Sequence, residues 1–340
     1  MQAYLLTKTG NPDVLRLHDV PEPEPAPGEV RVRVRWIGLN YAEILSRKGL
    51  YGWAPKRPYI PGMEAFGEID AVGVGVTGRS VGEPVIVGAQ YGCYAEKVCV
   101  PAHQALPALP QFSPEENAAF AVNYMTAWIA LMKMARLQTS DTVFISPAAG
   151  GVGTAAVQLS KAFGCRTLGV AGRAEKIELL QKLGIDLVIN YREQNFEPVV
   201  REFLSGGGID VAVEMVGGEV FKACQRLLNP FGRIVVVGFA SLNLQKWNPL
   251  SWWRTWRDLP KMRLQQMAEG SFGILSSHVG YLLSRVELMT AIWQELVDFV
   301  TRHDIRPVIG RVFSFDAMPD AHRWIESRQS YGKVLIQGRL

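Results

Sequence analysis

The stretch best equipped for chemistry is Thr142-Val143-Phe144-Ile145-Ser146-Pro147-Ala148-Ala149-Gly150-Gly151-Val152-Gly153, which continues into residues 154–164 with helical spacing. A β-branched and aromatic run, then small residues, then a helical period reads as strand, tight turn and helix. At such a junction backbone N–H groups and the positive end of the helix dipole converge, an arrangement suited to a pyrophosphate. Ala149, Gly150, Gly151, Val152 and Gly153 are the candidate contacts. Because the turn departs from G-x-G-x-x-G, the motif alone is weak evidence. A second apolar run, Thr167–Ala171, ends in Gly172-Arg173-Ala174-Glu175-Lys176, with Gly172 19 residues beyond Gly153. An acidic residue at this offset accepts from ribose hydroxyls, whereas cations accommodate a 2′-phosphate. Gly172, Arg173 and Lys176 therefore favour NADPH, against the plainer role of solvating the start of a helix over 175–183.

The elements that must position these residues fall into two textures. Residues 1–110 are predominantly β: Val30-Arg31-Val32-Arg33-Val34-Arg35-Trp36 alternates apolar and basic side chains, and Phe66–Val74 and Val81–Val87 repeat a strand-and-turn pattern. Pro21, Pro23, Pro25 and Pro27 impose an extended connector. From about Pro114 the pattern turns helical, and strands then alternate with helices through about Ala240. That alternation predicts a doubly wound parallel sheet. With 340 residues, 48% hydrophobic and 20% charged, the chain is long enough for two domains. A net charge of +4 gives no argument for nucleic acid. The four cysteines form no CxxC pair, which suits a reducing compartment. No apolar run approaches the roughly 20 residues needed to span a bilayer, and the N-terminus lacks a signal pattern, so the expected location is cytoplasmic.

Several motifs together carry a resemblance. Gly38-Leu39-Asn40-Tyr41, Gly49-Leu50-Tyr51, Pro61-Gly62-Met63-Glu64, Val122-Asn123-Tyr124-Met125-Thr126-Ala127, the Ala148–Gly153 turn and Gly332-Lys333-Val334-Leu335 resemble the zinc-independent quinone oxidoreductase branch of the medium-chain dehydrogenase/reductases. The Asn-Tyr-x-Thr-Ala run and His278-Val279-Gly280-Tyr281 are most similar to the VAT-1-like subgroup. The resemblance covers nearly the whole chain. It implies a GroES-like β domain formed by residues 1–122 and a returning tail, a Rossmann NADPH-binding domain over 123–268, and a last Rossmann strand and return over 269–340, with the active cleft at the junction. A homodimer is also implied.

Zinc-dependent relatives place a Cys near Asn40 and a His where Met63 stands. An amide and a thioether are poor zinc ligands, and no lobe of four close cysteines is present, so no metal is expected. Without a metal, the compatible chemistry is hydride transfer to an enone or quinone, with charge developing on a carbonyl oxygen that needs hydrogen-bond donors. By resemblance, Asn40 and Tyr51 line the catalytic space, Tyr41 and Met63 border a small apolar carbonyl or quinone substrate, and Asn123 and Thr126 face the nicotinamide. Tyr51 donates the proton or is a hydrogen-bonded wall residue, water being the other source. Glu64 either retains a role from the zinc template or pairs with a nearby Arg or Lys. The resemblance sets Tyr191 against the 2′-phosphate with Lys176. Val216, Gly238 and Phe239 follow later strands, where the switch-point rule delivers strand ends to a cofactor. Phe272 and Ile274 offer main-chain groups to the nicotinamide, on a strand that pairs across a dimer axis in the family.

One stretch departs from plain quinone reductases. Residues 246–263 hold four of the nine tryptophans and a net charge of +4, equal to that of the whole chain. Trp252, Trp253, Trp256 and Leu259 recur at helical spacing between Pro249 and Pro260. With Trp253 and Trp256 over the substrate, the segment roofs the pocket; alternatively it is an interfacial helix in weak contact with a membrane surface. Two function classes stay open: an NADPH-dependent reductase, and a VAT-1-like lipid- or membrane-interacting protein on a reductase fold with weak redox activity.

Overall fold

Alternating valines turn one face of the strand Glu29–Leu39 inward, with Val30, Val32 and Val34 buried. Beyond an irregularity in register between Val34 and Trp36, Ile37, Gly38 and Leu39 are buried consecutively, because that end is covered on both faces. A Cβ on Gly38 would lie 2.5 Å from the carbonyl oxygen of Ala118. In this computed structural model, which describes residues 1–238, 262 and 264–339, the chain forms two compact units. The first comprises Met1–Asn123, Gly280–Trp293 and Arg306–Leu340, the second Tyr124–Val279 and Gln294–Ile305.

The first unit is the GroES-like β domain. Its seven-stranded sheet runs Ile309–Ser314, Lys333–Gln337, Glu29–Leu39, Glu64–Val72, Pro84–Gly88 and Ala105–Pro107, with Lys97–Pro101 also paired to Glu29–Leu39. Strand Lys333–Gln337 lies antiparallel to Glu29–Leu39, so the two ends of the sequence share one sheet. The expected strand over Phe66–Val74 runs Glu64–Val72, and Val81 lies outside the following strand, exposed beside Gly82 at φ +89°. Proline-rich residues 21–26 form neither helix nor strand, Pro27 enters a turn, and Arg31 donates to the Pro23 carbonyl at 3.1 Å. Helix Pro114–Trp128 opens with reciprocal bonds between Ser113 and Glu116, a capping box with proline at the first helical position.

The second unit is the Rossmann domain. Six parallel strands stand in the order Leu187–Asn190, Arg166–Ala171, Thr142–Ser146, Ile209–Glu214, Leu228–Val236 and Gly273–Ser276. This is the doubly wound order, and its direction reverses between Thr142–Ser146 and Ile209–Glu214, where ligands bind outside the strand ends. Phe144 stacks on Phe196 with ring centroids 5.0 Å apart, under the helices that cover the sheet.

Candidate functional site

In the Rossmann unit the turn is built by backbone crowding on one side and space on the other. Helix Gly151–Ala162 starts directly after Gly150. A Cβ on Gly153 would sit 2.2 Å from the Pro147 carbonyl oxygen, so only glycine lets the helix approach the strand this closely. A Cβ on Gly150 would meet nothing within 4 Å, leaving the outer side open to a ligand. Ala149 is buried beneath them, and Gly151 and Val152 are half-buried.

At the tip of the next strand, the Tyr191 ring lies against Gly172, where a Cβ would come 2.6 Å from its hydroxyl. Arg173, Lys176 and Arg192 form a cationic cluster beside it: burial, then the charges of Arg173 and Arg192, push the Lys176 amine below its ordinary value. The Arg173 Nε is shielded from solvent with no hydrogen-bond partner among the described residues. Crowded cations and an orphaned donor fit the phosphate of NADPH.

At the switch point, Glu214 and Ser146 are register partners, both almost fully buried. Glu214 Oε1 accepts from the amides of Val216 at 2.7 Å and Gly217 at 2.8 Å, fixing the loop after the strand. Its Oε2 and the Ser146 hydroxyl lack hydrogen-bond partners among the described residues. Burial raises the Glu214 carboxyl to about 7. Gly238 follows the next strand, Phe272 precedes the edge strand Gly273–Ser276, and Ile274 lies within it beside Ile234. Phe239, Trp253 and Trp256 lie outside the described residues, as does most of the 246–263 segment.

In the β unit, Asn40 caps helix Tyr41–Lys48, and its amide is committed at both ends. The Asn40 Oδ1 accepts from Lys333 Nζ at 2.7 Å, while Nδ2 donates to Glu64 Oε1 at 3.0 Å. Lys333 also pairs with Glu64, and Glu64 Oε2 accepts from the Val122 amide at 3.0 Å. Both ionic side chains are almost entirely excluded from solvent. Glu64 therefore has the cationic partner that its spacing alone left open. An ammonium already occupies the centre of this group, so the residues do not fit a zinc ion. Among the described residues, no three His, Cys, Asp or Glu side chains converge to hold a metal.

Glu43, which the sequence reading passed over, lies beneath this triangle. It completes a capping box with Asn40, whose backbone amide donates to Glu43 Oε2 at 2.7 Å, and the Met63 amide donates to Oε1 at 2.8 Å. Met63 is buried, whereas Tyr41, at the first turn of the helix, is 37% exposed. Tyr51 is half-buried and packs edge-on against Trp53, which in turn contacts Tyr281. Burial, and then the nearby Glu43 charge, hold the Tyr51 phenol well above its ordinary value. Asn123 and Thr126 are three residues apart on helix Pro114–Trp128 and share one of its faces. The Asn-x-x-Glu spacing was the one visible signal for Glu43; Lys333 stood in a family-like run but nothing marked it as the partner of Glu64, and nothing marked the roles of Glu214 and Arg192.

Known proteins resemble the chain along its length. The alcohol dehydrogenase GroES-like domain family matches residues 26–111 and the zinc-binding dehydrogenase family residues 151–268. The synaptic vesicle membrane protein VAT-1 homolog of Homo sapiens is 33% identical over 99% of this chain and 86% of its own. The quinone oxidoreductase-like protein 2 homolog of Nematostella vectensis is 33% identical over 88% and 79%. The crystal structure of Escherichia coli quinone oxidoreductase complexed with NADPH superposes with a TM-score of 0.87 at 26% identity, over 99% of this chain and all of that one.

Two outcomes follow from the buried charges. Lys333→Met, which strands the Glu64 carboxylate, is expected to cost about 3–5 kcal/mol in chemical denaturation. Adding Glu64→Gln should recover at least about 1 kcal/mol, and strict additivity would refute the pairing. For Glu214, a folded value raised to about 7 means stability that is present below the ordinary carboxylate range and lost as pH rises through 7. Between pH 5 and 8, Glu214→Gln should flatten that loss by roughly 2 kcal/mol.

Proposed function

The chain belongs to the quinone oxidoreductase branch of the medium-chain dehydrogenase/reductases, together with VAT-1-like proteins, and on that premise we propose that it is an NADPH-dependent reductase of quinones or α,β-unsaturated carbonyl compounds that works without zinc. The observation that carries this reading is the cation cluster of Arg173, Lys176 and Arg192 with its orphaned Nε. Bound NADPH supplies a hydride from the nicotinamide ring. The Ala149–Gly153 turn holds the pyrophosphate, and Arg173 and Lys176 hold the 2′-phosphate against Tyr191 and Gly172. Asn123, Thr126, Val216, Gly238, Phe272 and Ile274 orient the nicotinamide half, with Glu214 fixing the Val216 loop.

On the substrate side, Tyr41 and Met63 border the acceptor, and the Tyr51 hydroxyl donates a hydrogen bond to its carbonyl oxygen as charge develops there. A phenol held above its ordinary value by burial and by Glu43 keeps its own proton, so the proton that completes the reduction comes from water. Asn40, committed to Lys333 and Glu64, holds this framework rather than the substrate. Edge strand Gly273–Ser276 is the proposed pairing strand of a homodimer. The second reading, membrane-surface contact through 246–263, rests on that segment's composition and on the vesicle-membrane name of the VAT-1 relatives. Among the described residues no helix is long and apolar enough to cross a membrane.

The test is NADPH oxidation against a panel of quinones and enones, with flotation on anionic liposomes in parallel. NADPH should bind at least about tenfold more tightly than NADH. Lys176→Ala should remove that preference while leaving NADH binding unchanged, and equal affinities in the unaltered chain would defeat the assignment. Tyr51→Phe should lower kcat about a hundredfold with little change in NADPH affinity. A stoichiometric zinc in the purified protein would contradict the metal-free reading. Salt-sensitive flotation without turnover would favour the second.

A further inference from the structure

Behind Glu43 runs a chain of buried hydrogen bonds whose direction can be worked out atom by atom. Arg47 Nε approaches His322 Nδ1 at 3.3 Å, and a guanidinium can only donate. His322 Nδ1 is therefore the acceptor and its proton sits on Nε2. Burial, then the Arg47 charge, push this imidazole down to about 3, which keeps the ring neutral. Its Nε2 lies 3.0 Å from the Tyr94 hydroxyl, which must accept there and turn its own hydrogen to Glu43 Oε2 at 2.8 Å. Glu43 thus takes three donors, Tyr94 O–H and the amides of Asn40 and Met63, and has no acceptor within this set. Such a site is built for a carboxylate. A proton on Glu43 Oε2 would set a donor against a donor somewhere between it and Arg47, and a proton on Oε1 would have no acceptor within this set.

Because the chain ends on a guanidinium, which does not release its proton, it is no proton path to solvent. Its geometry instead favours one charge state. We propose that Tyr94, with His322 and Arg47 behind it, is a positioning residue that holds Glu43 as a carboxylate, and that Glu43 in turn holds the backbone of Asn40 and Met63 in the arrangement the reaction requires. This rests on the reductase function proposed above. Burial opposes the arrangement, raising the Glu43 carboxyl to about 7, so the network is poised near neutrality. The other titratable groups around Glu43 are Lys333, which favours its charge, and Tyr51, Tyr59 and Cys93, whose values that charge raises.

The experiment follows the Glu43 carboxyl directly, by 13C NMR of protein labelled at glutamate Cδ, with Glu43→Gln identifying the resonance. Removing one donor to a carboxylate is expected to raise its proton affinity about tenfold. Tyr94→Phe should therefore move the Glu43 inflection up by about one pH unit, and the amide resonances of Asn40 and Met63 should titrate with it. His322→Leu should shift the inflection similarly. His322→Gln, whose carboxamide can accept from Arg47 and donate to Tyr94, should restore the wild-type position. The acid limb of kcat/KM should follow the NMR inflection in each variant. An unmoved inflection in Tyr94→Phe, identical behaviour of the two His322 variants, or amides indifferent to the Glu43 titration would overturn the proposal, as would an acid limb that ignores the shift. If the unaltered chain reduces no quinone or enone, the functional reading falls, while the carboxyl and amide titrations still decide whether the chain holds Glu43 and its loops.

Discussion

Taking a carboxylate and an ammonium out of water costs several kcal/mol per ion unless contact geometry and further hydrogen bonds compensate. Lys333 and Glu64 are almost fully buried, and the β unit is shaped by that constraint. Asn40 bonds to both ions, the Val122 amide satisfies the second Glu64 oxygen, and Gly38 leaves room where a Cβ would lie 2.7 Å from Lys333 Cε and 2.9 Å from Glu64 Cδ. Three strands, the cap of one helix and the body of another meet at this pair. A second buried cation, Arg47, pairs directly with Glu326 and reaches Glu43 only through His322 and Tyr94.

The Rossmann unit follows the opposite rule. Arg173, Lys176 and Arg192 crowd together, and among the described residues an Arg173 donor has no partner and Glu214 is buried without a cation. A protein gains nothing in its own stability from such imbalance. It is the pattern expected where a ligand's charge completes the set, and where preorganised donors cost no rearrangement when it arrives. Glu214 belongs to this preparation in a different way: it spends one oxygen on the Val216 and Gly217 amides, giving a glycine-rich loop a fixed shape in the absence of regular structure.

Short-range patterns made much of this legible in the sequence. The strand, turn and helix around Gly150 follow from residue size over a dozen positions, and the alternation of Val30, Val32 and Val34 predicts a buried face that the sheet uses. The strand ends were less legible, because Gly73 sets its turn against the distant Ala26 carbonyl and Gly82 sets its own through a φ of +89°. The Lys333–Glu64 pair was beyond reach for a different reason: its partners are 269 positions apart, and sheet register alone brings them together. Tyr94 and His322 are similarly distant, and a lone tyrosine and histidine carry no spacing signal. By resemblance Asn40 lines the catalytic space; the structure adds that both ends of its amide are engaged.

That engagement explains why an asparagine suits this position. Its carbonyl and amino groups diverge from one carbon, so one side chain can accept from Lys333 and donate to Glu64 while those ions touch each other. A thiolate would supply only an acceptor and add a negative charge; a carboxylate would leave Glu64 facing like charge. Asn40 and Lys333 are thus a matched pair, and the positive charge they share is covalently fixed to the chain and buried, unable to bind a substrate oxygen as an open metal site does. On the proposed function, polarisation of the carbonyl falls to Tyr51, a neutral donor. A neutral donor stabilises developing charge less than a metal does, which favours acceptors that spread that charge through conjugation: quinones and enones ahead of simple ketones.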